Sequence, residues 1–210
     1  MADDLVFYTN PQSRGRIARW MLEETGADYR TEVIDYASRM KSPDYLAINP
    51  MGKVPAIVHH GKAVTEGAAI CAYLAEAFPE AGLAPRPGER ADYYRWLFFA
   101  AGPVEHAVTN NVAKFDPSPE QSRMFGYGSY AATVDVLEAA VSAHPYIAGD
   151  RFTAADVYVG SAVGWGILFG SLPKRDAFTD YFERLSGREA YKRAAEMDDA
   201  LVPAPASVEA

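Results

Sequence analysis

The stretch Asn49-Pro50-Met51-Gly52-Lys53-Val54-Pro55-Ala56-Ile57-Val58 carries the residues best suited to holding a ligand. Asn-Pro and Met-Gly form a turn cluster that ends whatever helix precedes it. Val54 to Val58 then reads as a short buried strand with Pro55 at its entrance. Proline cannot donate to a sheet ladder, so it belongs at a strand's first residue, on an edge or at a bulge. Two readings of Pro55 follow. A trans bond merely opens the strand, and on local sequence alone that is the commoner case. A cis Val54–Pro55 bond would kink the entrance and leave the Val54 main chain unpaired. Its N–H and C=O could then hold a peptide-like ligand as if it were one more strand. Glu66 and Gly67 open a predicted helix, where free N–H groups favour an anion. Taken alone, Glu66 reads first as an ordinary first-turn acid suited to the helix dipole. Ser13 stands at the start of another predicted helix, where it is an apt N-cap. Tyr8 and Thr9 are the other hydroxyls nearby, and Arg14, Arg16 and Arg19 share a helical face that reads as solvated.

Short elements must position these groups. Leu5-Val6-Phe7-Tyr8 is an apolar run ended by Thr9-Asn10-Pro11, a first strand. From about Ser13 to Thr25 the residues Ile17, Trp20, Met21 and Leu22 recur at helical spacing, with Gly26 as the stop. Tyr29 to Ile34 alternates as a second strand, and Ser42-Pro43-Asp44 starts a short helix to Ala47 or Ile48. His60-Gly61 turns the strand after Pro55 into another at Lys62-Ala63-Val64, and a helix follows to about Phe78. The first two strands should be parallel and the last two an antiparallel hairpin, a thioredoxin-like layout. Residues 79–88 form a Pro/Gly-rich linker, after which the period is helical throughout. Helices are expected over Glu89 to about Asn111, Pro119 to about Ala143 with an irregularity around Gly126-Tyr-Gly128, Thr153 to about Phe169, Asp176 to Ser186 and Gly187 to Asp198. Thr153-Ala-Ala-Asp156 is a capping box with an acid in the Glu position. The helix it opens is apolar on every side, which makes it the core of the second domain. Its Gly160, Gly164 and Gly166 read as close packing, and a Pro/Ala-rich tail is expected to be mobile.

The totals narrow the class. A chain of 210 residues can bury a sizeable core as one domain or two. A net charge of -8 argues against nucleic acid as a partner, since neutralising phosphates takes clustered Lys and Arg. The apolar helix is too short to span a bilayer, so no membrane role is expected. The lone Cys71 fits a reducing compartment and, with no basic and apolar leader, sets the expectation of a cytoplasmic protein. It reads as a buried structural thiol, and dithiol chemistry is absent because there is no Cys-x-x-Cys. His59 and His60 should point to opposite faces of a strand, which spoils a shared metal site. No His-Glu-x-x-His, Walker loop, Gly-x-Gly-x-x-Gly or Gly-x-Ser-x-Gly occurs.

Three motifs in order, Asn49-Pro-x-Gly-Lys-Val-Pro55, Thr65-Glu66-Gly67-x-x-Ile70 with Tyr73-Leu74, and Gly149-Asp-x-Phe-Thr-x-Ala-Asp156, cover nearly the whole chain. Together they make it resemble the glutathione transferase family, in a bacterial, theta-like form. The resemblance implies an α/β thioredoxin-like N-terminal domain over 1–79, a linker over 80–88, and an all-α domain over 89–210 for substrate and dimer contacts. It implies glutathione as co-substrate, held as a thiolate that attacks a hydrophobic electrophilic small molecule, in detoxification, by a homodimer. Val54, before a cis Pro55, would exchange two hydrogen bonds with the cysteinyl part. Glu66 would take the γ-glutamyl ammonium and the Gly67 N–H its carboxylate. Lys53, with Lys41 behind it, would meet the glycyl carboxylate. Serine- and tyrosine-type members place the sulfur's hydroxyl donor four residues before an Arg like Arg14, and here that position is Asn10. Ser13 is therefore taken as the donor by chemistry and place, with Asn10 second. Members usually have Ser or Thr at the Gly67 position, and losing that hydroxyl removes a bond of about 1.5–3 kcal/mol. The electrophile pocket is expected where the two domains face each other, with Phe98, Phe99, His106 and Trp165 as linings. The same site could run isomerisation, ether cleavage or peroxide reduction. A non-catalytic binding or scaffold protein is the reading from another class, favoured by Asn10 and Gly67.

Overall fold

The computed structural model describes residues 4–202. Its first elements are β1 (Leu5–Thr9), α1 (Gly15–Thr25), β2 (Arg30–Val33), the short α2 (Pro43–Leu46), β3 (Ala56–His59), β4 (Lys62–Thr65) and α3 (Gly67–Ala77). The strands lie in the order β2-β1-β3-β4. β1 and β2 are parallel, as a strand–helix–strand crossover requires, and β3 runs antiparallel to both β1 and β4. The hairpin turn is made by His60 and Gly61 at φ of 49 and 72, the positive values that a tight turn between twisted strands needs. His60 thus leaves the strand, and its ring stacks on His59 at 4.0 Å instead of pointing to the opposite face. Among the described residues no cluster of three or more metal-binding side chains forms.

α1 buries Ile17, Trp20, Met21 and Leu22, while β1 and β3 bury Leu5, Phe7 and Ile57. A Cβ at Gly15 would overlap Thr9 Oγ1, so only glycine lets this helix begin so close to the end of β1. Of the three arginines on one face of α1, Arg14 is exposed as expected, Arg16 is half-buried and Arg19 is buried. Arg19 is 1% exposed and paired at 3.1 Å with Asp198, also 1% exposed. Arg19 also donates to Tyr29 Oη at 3.1 Å and Thr31 Oγ1 at 2.9 Å. Arg16 binds Asp199 at 2.6 Å.

The described chain divides into two compact units: residues up to Ile70 together with those from Glu189 onward, and Cys71–Arg188. The division falls inside α3 and not at the Pro/Gly-rich 80–88. The last helix, α9 (Glu189–Asp199), joins the first unit, where Trp20 meets Tyr191 edge-on at 5.0 Å. Continuity along the chain groups α9 with the helices before it, but its packing on α1 puts it in the first unit. The Pro/Ala-rich tail from 203 lies outside the described residues.

The second unit contains α4 (Arg90–Phe99), a π-helical turn Ala100–Val104, α5 (Glu105–Val112), α6 (Tyr130–Ala143), α7 (Ala154–Leu168) and α8 (Asp176–Ser186). The long helix expected here is interrupted at the π turn, where Pro103 has no N–H to give. α6 begins eleven residues later than the expected Pro119. Gly128 at φ 67 breaks the chain, and the Ser129 hydroxyl accepts the Ala132 N–H at 3.2 Å as the N-cap. α7 is buried along most of its length. Its Gly164 lies against the Phe182 ring and Gly166 against Leu172, both too close for a Cβ, which is the packing role expected of these glycines. Asp156 accepts the Thr153 N–H at 2.9 Å, as in a capping box. The Cys71 side chain is fully buried, and burial pushes its thiol up. No helix among the described residues is long and apolar enough to cross a membrane.

Candidate functional site

Strand register brings the separate motifs of the first unit to one end of the sheet. Tyr8 is the partner of Ala56, and Ala56 is the partner of Thr65. The end of β1, the start of β3 and the end of β4 therefore lie side by side. The residues just beyond them are Asn10, the Val54-Pro55 pair, and Glu66 with Gly67. Ser13 follows in the turn between β1 and α1.

The Val54–Pro55 bond is cis, the less common of the two readings. β3 starts only at Ala56. Among the described residues the Val54 N–H and C=O have no hydrogen-bond partner. The Val54 side chain, by contrast, packs on the buried cluster of Ile34, Met40 and Tyr45, so the residue is held by its side chain and shows its main chain.

The turn before Val54 is rigidly tied. The Asn49 carbonyl accepts the Gly52 N–H at 2.8 Å, and its Oδ1 accepts the Met51 N–H at 3.1 Å. The Lys53 carbonyl accepts two donors, Tyr45 Oη at 2.6 Å and Asn49 Nδ2 at 2.8 Å. Lys41 is turned inward onto the Met51 and Gly52 carbonyls, at 2.9 and 3.0 Å, and so does not stand behind Lys53 as a second free cation. The Lys53 ammonium has no partner among the described residues. Tyr45 is the residue that sequence reasoning passed over. Its signal was there: it precedes Asn49 by four positions, the spacing that puts two side chains on the same side of a helical turn.

Glu66 sits at φ 67, in the left-handed region rare for a residue with a Cβ, and its carbonyl accepts the Ile70 N–H at 2.9 Å as α3 begins. Its side chain is exposed. Gly67 is the first residue of α3, where the helix leaves its leading N–H groups unpaired.

The turn after β1 is occupied by its own hydrogen bonds. Asn10 Nδ2 donates to the Ile34 carbonyl at 3.1 Å, and its Oδ1 accepts the Gln12 N–H at 3.0 Å. A carboxamide has two N–H donors, so one remains. Ser13 Oγ donates to the Asn10 carbonyl at 2.6 Å and accepts the Gly15 N–H at 2.9 Å. Its single proton is thus committed within the turn. Tyr8 is half-buried with its ring tilted against Tyr45 at 5.8 Å. Of the residues expected to line a pocket in the second unit, Phe98 and His106 are exposed, and Phe99 and Trp165 are half-buried.

The family model for the glutathione S-transferase N-terminal domain matches residues 4–76. The glutathione S-transferase GST-4.5 of Xanthomonas campestris pv. campestris is 30% identical over 196 residues, covering 86% of this chain and 92% of that protein. Among solved structures, a glutathione transferase of Methylococcus capsulatus is 29% identical with a TM-score of 0.73, covering 93% of this chain and 99% of the other. A sphingomonad glutathione S-transferase complexed with glutathione is 28% identical with a TM-score of 0.74, covering 92% and 98%.

Proposed function

The chain belongs to the glutathione S-transferase family, and from that premise we propose how its residues hold the tripeptide and activate its sulfur. It is a glutathione transferase with glutathione as co-substrate. Val54 receives the cysteinyl part: its N–H donates to the cysteinyl carbonyl and its C=O accepts the cysteinyl N–H, as an added strand would. Glu66 takes the γ-glutamyl ammonium and the Gly67 N–H the neighbouring carboxylate. Lys53 supplies the charge for the glycyl carboxylate. The observation that carries this reading is the shared sheet end, where a Val54 main chain with no partner among the described residues stands beside the start of α3.

The sulfur then lies towards the turn that opens α1. Its thiol proton leaves to solvent, and the thiolate is favoured by the positive end of the helix and by one side-chain donor. Ser13 fills that role by turning its proton from the Asn10 carbonyl to sulfur. The remaining N–H of Asn10 is the second donor. The thiolate attacks an electrophilic carbon, a C–S bond forms, and the leaving group departs with its electron pair. The electrophile is a hydrophobic small molecule. The working protein is a cytoplasmic homodimer in detoxification; exposed Met51 and Phe98, at 66% and 68%, support the dimer alone.

Retention on immobilised glutathione and turnover of an aromatic halide with glutathione test the proposal. A structure with glutathione in which Val54 does not touch the cysteinyl group would overturn the binding scheme. Sedimentation as a monomer would remove the dimer.

A further inference from the structure

We infer that Tyr45 is a positioning residue for glutathione: its hydroxyl fixes and polarises the Lys53–Val54 peptide unit, so that the Val54 N–H is aimed at the ligand. This rests on the binding scheme proposed above and adds a residue that touches no substrate.

Among the described residues only Val54–Pro55 is cis, so the Lys53–Val54 bond is trans. A trans peptide unit is planar, with its C=O and N–H pointing in opposite directions. Whatever fixes the Lys53 oxygen therefore fixes the direction of the Val54 N–H. That oxygen accepts Tyr45 Oη at 2.6 Å and Asn49 Nδ2 at 2.8 Å, which fills both of its lone pairs. Both donors are 3% exposed and come from the protein interior, so the N–H on the other side of the unit is turned away from them. A carbonyl that accepts hydrogen bonds withdraws electron density along the amide, which makes the N–H of the same unit a better donor.

Tyr45 is well placed to do this at any working pH. Burial pushes its phenol up to about 12, so the hydroxyl keeps its proton. Its ring is held by Ile34 and Met40 in the cluster on which Val54 itself packs. Tyr45 thus belongs to the cluster that seats the Val54 side chain and holds the preceding carbonyl through its oxygen. Gly52 lets the turn come this close: a Cβ there would lie 2.8 Å from the Met40 carbonyl.

The test is Tyr45→Phe, which removes the hydroxyl and keeps the ring, beside Tyr36→Phe as a control on an exposed phenol. We expect Tyr45→Phe to weaken glutathione binding by about fivefold, from the loss of one hydrogen bond acting through another. The loss should fall on KM for glutathione and leave KM for the electrophile in place. The Val54 amide proton should move upfield before any ligand is added. Unchanged affinity with an unmoved Val54 amide overturns the inference, and so does an equal loss for both substrates with a collapsed melting temperature, which marks a purely structural role. Should Tyr45→Phe not fold, the unaltered protein with glutathione decides. Val54 N within hydrogen-bond distance of the cysteinyl carbonyl, with Tyr45 Oη still on Lys53 O, supports it, and a released Lys53 carbonyl overturns it. A native protein that does not bind glutathione overturns the binding scheme itself, whereas native binding with an indifferent Tyr45→Phe removes only the role of Tyr45.

Discussion

Ser13 and Asn10 compete for the sulfur through one shared bond. In the free protein the Ser13 proton lies on the Asn10 carbonyl at 2.6 Å, so Ser13 has to exchange that acceptor for the thiolate. A thiolate accepts from a hydroxyl more strongly than a carbonyl does, because the bond is charge-assisted. Ser13→Ala should therefore lower kcat by about tenfold to a hundredfold, since a hydrogen bond to a charged acceptor is worth about 1.5–3 kcal/mol. Stability should fall by only about 1 kcal/mol, since the same oxygen also caps the Gly15 N–H. Steady-state rates beside those of Asn10→Ala check this. If Ser13→Ala keeps the native rate and Asn10→Ala does not, the donor is the amide. The sequence made both candidates visible, because a hydroxyl and an amide at a helix start are recognisable by type. It did not show that they are bonded to each other, which depends on how the turn closes.

At the scale of elements, α7 is opened by a single carboxylate. Asp156 accepts the N–H of Ile147 at 2.7 Å, the N–H of Thr153 at 2.9 Å, the Thr153 hydroxyl at 3.1 Å and the Tyr181 hydroxyl at 2.9 Å, all of them buried. The capping box was legible because Thr and Asp stand three residues apart. Ile147 and Tyr181 were not, because they approach from a preceding loop and from α8. Asp156→Ala leaves several buried donors without an acceptor and should cost at least about 3 kcal/mol. Denaturant unfolding reads the change, and a loss below about 1 kcal/mol would show that water replaces the carboxylate. Asp156→Asn should fall between, since the amide can still accept but loses the charge.

Across the whole molecule, the chain's last described helix returns to its first. Arg19 and Asp198 form a buried pair, and burial holds the Asp198 carboxyl up, opposed by the guanidinium beside it. Arg19→Met removes that opposition and should cost about 3–5 kcal/mol by leaving a lone buried acid. The double variant Arg19→Met with Asp198→Leu should recover most of the loss, because the uncompensated group is gone. Thermal unfolding of the two singles and the double measures the coupling. The tyrosines add a pH limit. Tyr29 and Tyr45 are each pushed up to about 12, chiefly by burial, from an ordinary value of 10.0. A phenol whose folded value is raised contributes stability that is whole below the unfolded value and is lost as pH rises through the folded one. Stability should therefore decline between about pH 10 and 12. Tyr45→Phe should soften that decline, as followed by unfolding at stepped alkaline pH.

Periodicity and turn chemistry, which act within a few residues, determined the strands, most of the helices, the linker composition and the motifs that carry the family resemblance. Long-range pairing decided the rest. It alone could bring Asn10, Val54 and Glu66 to one sheet end and bury Arg19 against a carboxylate 179 positions away. It also turned Lys41 from a candidate ligand into a donor for its own chain. A residue type reveals which bonds a side chain is able to make. Which of them it does make depends on what the folded chain brings within reach.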